Sequence, residues 1–267
     1  MDDVISLCDL TGKMLLPWAE AGHKCWAFDT QHPKGESVHP LNANIMRVGM
    51  DVCSVDFRFW ITDRKGSVKI LFSFPPCTDL TGSGARWWEA KGPVAYRDAM
   101  HLVYKCAWAG GALGCPWFVE NPPGRIHSGA GAGIESELKW RKCDHTFQPY
   151  EYGGWDGNGE EWWAAVGRDL WEKFPGKNPG LSGLKLARAF TCMCGNLCQL
   201  PVEPNDGYHK RTCLWVGGGF KMPERRPIPL NSKPDFIHKC PPGPERANLR
   251  SETPLGFARA VYEANRG

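Results

Sequence analysis

A thiol and a carboxylate occupy comparable places in this chain. Cys77 ends the stretch "ILFSFPPC" (70–77), where an apolar run of strand length meets two prolines. Glu120 lies in "PWFVENPPG" (116–124), a second apolar run that meets Asn-Pro-Pro. A thiol at a strand end has its thiolate favoured by nearby backbone N–H groups and can serve as a nucleophile. A carboxyl there is costly unless paired or used; desolvated in a cleft, it stays protonated near neutral pH or shares a proton with a heteroaromatic base. The bland alternatives are a packing thiol for Cys77 and a turn cap for Glu120. The surroundings of Cys77 favour chemistry: Pro75 and Pro76 stiffen the turn that aims it, and "TDLTGSGARWW" (78–88) is a loop able to close over a ligand.

Two further acids end apolar segments, Asp29 in "KCWAFD" (24–29) and Asp51 in "MRVGMDV" (46–52). The elements that must position these groups follow from the same runs. "VISLCDL" (4–10) reads as a strand, "MLLPWAEAGH" as a helix closed by Gly22, and 24–29 as the next strand, which together make a βαβ unit of a parallel sheet. "VKILFSF" (68–74) and 116–124 read as further strands, with "AYRDAMHLVYKCAWAGGAL" (95–113) as a covering helix. The fold class expected is α/β, a Rossmann-like, mostly parallel sheet with helices on both faces, and ligands of such sheets bind at the carboxyl ends of the strands. Residues 1–124 form the expected catalytic, cofactor-binding domain. Residues 125–245, rich in glycine, proline and tryptophan, form a small loop-rich lobe, and 246–267 include a helix (253–265) expected to return to the first domain.

Composition narrows the setting. A net charge of +3 does not by itself announce a polyanion partner, although "GYHKRT" (207–212) and "KMPERRP" (221–227) concentrate cations. The opening "MDDVISLCDL" lacks the basic start of a signal peptide and no apolar run reaches bilayer length, so an intracellular, cytoplasmic, membrane-independent protein is expected. In a reducing compartment twelve cysteines are thiols or ligands rather than disulfides. Cys192, Cys194 and Cys198 in "TCMCGNLC", with Cys143 or His145 as a fourth ligand, could hold a structural zinc, or remain packing thiols.

The motifs "SLCDLTGKMLLPWAEAGH", "FPPCTDLTGSG", "VENP" and "RSETPLGFARAVYEAN", in this order, resemble those of the DNA cytosine carbon-5 methyltransferases, nearest to the short phage and bacterial branch. The likeness covers 4–124 and 250–265, with "TFQPYEYGG" and "KRTCLW" as branch-specific pieces. It implies that Cys77, on the turn of Pro76, attacks carbon 6 of a flipped cytosine. Glu120 then holds the nitrogen 3 edge and Asn121 holds its loop, while S-adenosylmethionine methylates carbon 5.

The resemblance also implies a cofactor site. The turn of Cys8, Asp9, Leu10, Thr11 and Gly12 faces the methionine carboxylate, Asp29 the ribose and Asp51 the adenine, with Pro75 and Thr253 contributing. The turn departs from the family pattern, which carries two or three glycines where this chain has Gly12 followed by Lys13. Double-stranded DNA is the implied partner, contacted by Ser83 and Arg86 of the loop and by Lys210 and Arg211, with Arg225 and Arg226 as further candidates. The protein is expected to act as a monomer. Three rivals stand beside this reading. An amino-methyltransferase would need an aromatic residue where Gly124 stands; the others are a tRNA cytosine-5 methyltransferase and a non-catalytic, zinc-containing DNA-binding protein.

Overall fold

Runs of β-branched and aromatic residues buried on both faces build the centre of an eight-stranded sheet. The computed structural model describes residues 2–129, 139–157, 160, 205–240, 243 and 246–267. The strands are β1 (Asp3–Leu7), β2 (Cys25–Phe28), β3 (Gly35–His39), β4 (Asn42–Gly49), β5 (Val68–Ser73), β6 (Trp117–Asn121), β7 (His145–Phe147) and β8 (Thr212–Gly217), and their order in space is β3-β4-β2-β1-β5-β6-β8-β7. β4, β2, β1, β5 and β6 run parallel, whereas β3 on β4 and β8 on β6 are antiparallel. The chain leaves β1 towards β2 and β4, then crosses back to β5 and β6. That reversal makes a topological switch point between β1 and β5, the crevice where open α/β sheets bind ligands.

Two units divide the chain: Met1–Thr146 with Arg211–Lys221, and Phe147–Lys210 with Met222–Gly267. In the first, α1 (Leu16–Glu20), α2 (Val55–Asp63) and α3 (Trp88–Leu113) accompany the sheet. Ile5, Leu7, Phe28, Phe57, Ile61, Leu71, Tyr96, Met100, Val103, Val119 and Trp215 are among its core residues. Ser54 caps α2 by accepting from the Phe57 amide over 3.1 Å. α3 is interrupted at Gly92, whose φ of 69° is left-handed, and restarts at Pro93.

The second unit includes α4 (Arg246–Ser251) and α5 (Leu255–Asn265). Phe257 of α5 stacks on Phe147, ring centroids 4.0 Å apart, and meets Tyr152 edge-on. The Gly256 amide donates to Asp206 over 2.7 Å. The terminal helix anticipated from its periodicity is therefore present, and its contacts with Phe147 and Tyr152 lie inside this unit. Thr212–Gly217, which the texture of the sequence assigned to the loop-rich lobe, form a strand of the main sheet in the first unit. No helix among the described residues is long and apolar enough to cross a membrane.

Candidate functional site

Register brings the candidate residues to one edge. Val48 pairs with Phe28, Phe28 with Leu7, Leu7 with Ser73 and Ser73 with Val119, so five parallel strands share one line, on which β2, β1 and β5 end and which β4 and β6 pass by one and two residues. Immediately beyond that line come Cys8, Asp29, Pro75–Cys77 and Glu120, with Asp51 just past the end of β4. The antiparallel β8 starts at the same edge: Glu120 pairs with Leu214 and Asn121 with Cys213, and the exposed Arg211 precedes the strand there.

Asn121 joins the two motifs. It is fully buried, and its Nδ2 donates to the Pro75 carbonyl over 2.9 Å. A side chain from the Glu120 strand thus holds the turn that carries Cys77. Pro75 is buried, Pro76 exposed, and Cys77 and Glu120 are half-buried. The Cys77 carbonyl accepts from the amides of Leu80 (3.0 Å) and Thr81 (2.9 Å), which closes a turn on the thiol's own residue.

The following loop is less mobile by construction than its glycines suggest. The Arg125 amide donates to Leu80 O over 2.8 Å and the Gly82 amide to Pro123 O over 3.0 Å, and Thr81 bridges Gly124. Gly124 lies so close to the Leu80 carbonyl that no β-carbon fits there. Arg125, fully buried, sends Nε to Asp79 O over 2.8 Å. Beyond this stitched part, Ser83 and Arg86 are exposed. Ser83 Oγ lies 3.3 Å from Thr81 Oγ1, and the Arg86 guanidinium lies over the Trp87 ring. No sequence feature singled out Arg125, because its partners Asp79, Trp88 and Tyr96 are distant along the chain.

The turn after β1 is held from within. Asp9 is buried; its carboxylate accepts from the amides of Gly12 (2.8 Å) and Thr11 (3.1 Å) and from Ser6 Oγ (2.7 Å). Burial pushes the Asp9 pKa up, while Ser6, Gly12 and Thr11 pull the other way. Two of the amides expected to face a cofactor therefore already serve Asp9. Gly12 supplies the left-handed residue of the turn at φ 63°, and Cys8 adopts φ 55°, a strained conformation for a side-chain-bearing residue. A hydrogen bond with Cys106, together with burial, pushes the Cys8 thiol well up, with Asp29 adding to the effect. Leu10 and Thr11 are half-buried, while His32 and His39 bond the carbonyls of Asp9 (3.2 Å) and Thr11 (3.1 Å).

Asp29 and Asp51 each orient one oxygen on their own loop, accepting from Gln31 N and Cys53 N, both at 2.8 Å. Asp29 is half-buried and Asp51 exposed. Fixed carboxylates at two neighbouring strand ends suit a ligand that presents a diol and an amino group. Thr253 is buried in the second unit, just before α5.

The remaining candidates separate. Lys210 is buried in the second unit, where its Nζ donates to Glu252 O over 3.0 Å and its amide to Gln148 Oε1 over 2.8 Å, so its ammonium is committed inside the fold. Arg225 pairs with Glu151 at 3.7 Å, and Arg226 covers the Trp155 ring at 3.4 Å. Cys143 lies against Cys213, whose thiol is pushed up to about 12 by burial and by Cys143. His145 starts β7. Cys192, Cys194 and Cys198 lie outside the described residues. Among the described residues no group of three His, Cys, Asp or Glu side chains is arranged to hold a metal ion.

No protein-family model matches this chain, and comparison with curated proteins finds no match. Among solved structures, one described as a DNA modification methyltransferase encoded within an E. coli prophage superposes with a TM-score of 0.33 at 17% identity, covering 57% of this chain. The matched part spans 43% of that protein, less than half its length.

Proposed function

We propose that this protein is a DNA cytosine carbon-5 methyltransferase that uses S-adenosylmethionine, with Cys77 as nucleophile and Glu120 as its partner. One observation carries the reading: the Pro-Pro-Cys turn and the Glu-Asn strand end leave adjacent parallel strands at one level, and Asn121 bonds the Pro75 carbonyl across the gap. A nucleophile and a carboxyl held that way can engage two sides of one planar heterocycle.

In this mechanism Cys77 Sγ forms a bond to cytosine carbon 6 while the Glu120 carboxyl hydrogen-bonds nitrogen 3 and stabilises the charge that develops on the ring. S-adenosylmethionine, when bound, supplies the methyl group as an electrophile. Asp29 and Asp51 would hold it at the ends of β2 and β4. A base then removes the carbon 5 proton, and the S–C6 bond breaks by elimination, returning the thiolate. Carbon 6 is shielded in a duplex, so the target base must leave the stack, and the largely exposed 3-10 turn Gly82–Trp87 is the part of the chain suited to follow it.

Transfer of labelled methyl groups to duplex DNA and to tRNA tests the activity and its substrate together. The proposal expects DNA labelling and covalent trapping on 5-fluorocytosine DNA, both abolished in Cys77→Ala. Labelling that survives this substitution, or that goes to tRNA alone, would overturn it.

A further inference from the structure

We infer that Arg125 is a positioning residue for Cys77: its buried guanidinium fixes the Cys77–Thr81 turn and limits loop motion to the arc Gly82–Trp87. The inference rests on the reading of Cys77 as the reactive thiol.

A fully buried guanidinium is costly unless its charge and donors are met. Here Nε donates to Asp79 O over 2.8 Å, and the planar group lies 4.4 Å from the Trp88 ring centroid and 4.7 Å from that of Tyr96. Asp79 stands at the near end of the loop; Trp88 and Tyr96 stand at its far end, on either side of the break at Gly92. One side chain therefore grips both ends of the segment. At the near end the guanidinium holds the carbonyl of Asp79, which lies inside the turn that the amides of Leu80 and Thr81 close on Cys77 O, so the restraint reaches the thiol's residue through that turn. Lys91 reinforces the same point by pairing with the Asp79 carboxylate at 2.5 Å. Between the two grips, Ser83, Arg86 and Trp87 are exposed, and the available pivots are Gly82 and Gly84.

A purely structural arginine and a positioning one differ in what their replacement does to Cys77 alone. Arg125→Lys keeps the charge but loses the planar Nε donor, and Arg125→Met keeps the stem. The reporter is iodoacetamide alkylation of Cys77, followed by peptide mass spectrometry across pH without DNA or cofactor, so the result does not depend on methyl transfer. Cys25 and Cys115, both buried, report on the fold in the same sample.

In both variants Cys77 is expected to alkylate at least about fivefold faster with an altered pH profile, while Cys25 and Cys115 stay protected. Where methyl transfer is measurable, kcat falls by about tenfold or more with cofactor KM little changed, and added ethylguanidinium partly restores both readouts in Arg125→Ala. Folded variants whose Cys77 reacts within about twofold of the parent overturn the inference. Should the variants unfold, hydrogen exchange of the parent protein decides. Slow amides at Leu80, Thr81, Gly82 and Arg125 beside fast ones at Ala85–Trp87 uphold it, and uniformly fast exchange over the whole loop overturns it.

Discussion

Asn121 is the residue whose replacement says most about how the candidate site is held. Its Nδ2 supports the Pro75 carbonyl from a fully buried position, and its Oδ1 has no hydrogen-bond partner among the described residues. Asn121→Ala removes the donor, a loss of about 1–3 kcal/mol, but also removes the unsatisfied oxygen, which offsets part of it. The net cost is about 1–2 kcal/mol, a fall in Tm of about 2–8 °C for a chain of this size. Asn121→Asp keeps the shape but sets an acceptor against an acceptor and buries an unpaired charge, at about 3–5 kcal/mol near neutral pH. The introduced carboxyl has a folded pKa above its unfolded value of about 4, because only its protonated form can donate to Pro75 O. Between those two values the folded state binds more protons than the unfolded one, so the deficit is full above the folded pKa and shrinks as pH falls through it. Calorimetry from about pH 8 to about pH 4 on both variants tests this ordering. An Asp variant as stable as the Ala variant at neutral pH, or a gap that does not narrow on acidification, would refute the reasoning. Methyl transfer should fall about 100-fold in either variant if the turn shifts by about 1 Å.

Four other perturbations have definite outcomes. Burial lowers the pKa values of His32 and His39, so their stabilising contribution is complete above about pH 6.5 and is lost as pH falls from there through the folded values; Tm should drop over that window, and the double Gln variant should flatten the slope. Lys210→Met should lower Tm, at about 1–3 kcal/mol, without altering the salt dependence of DNA binding measured by anisotropy. Arg211→Ala should do the reverse, leaving Tm unchanged and reducing the log–log salt slope by about 1. Gly124→Ala should cost about 2–4 kcal/mol, because its methyl meets the Leu80 carbonyl; a parent-like Tm would contradict the stitched loop.

The strands that were legible in the sequence are those buried on both faces. "VISL", "CWAF", "KILFS" and "WFVEN" are largely apolar runs because neighbouring strands and helices cover them. β3, "GESVH", is an edge strand with two exposed residues at its start, and its pairing with β4 leaves no apolar alternation to read. α2 is nine residues long with Val55 and Phe59 exposed, which blurs its period. "TCLWV" is an apolar run of strand length, yet the glycine and proline around it hid a partner, β6, that lies far back in the chain. At the site, strand-end residues could be read because a polar group after an apolar run is visible locally. The use of the Asp9 carboxylate on its own turn, the burial of Lys210 and the grip of Arg125 depend on partners that no local pattern names.

The placement of β8 also has a consequence for how the protein is made. β6 carries Glu120 and Asn121, and until residues 212–217 emerge from the ribosome it is an open edge with unpaired backbone groups. Contacts of such long sequence separation form late, so a nascent chain that already contains Cys77 and Glu120 still waits for its last neighbouring strand.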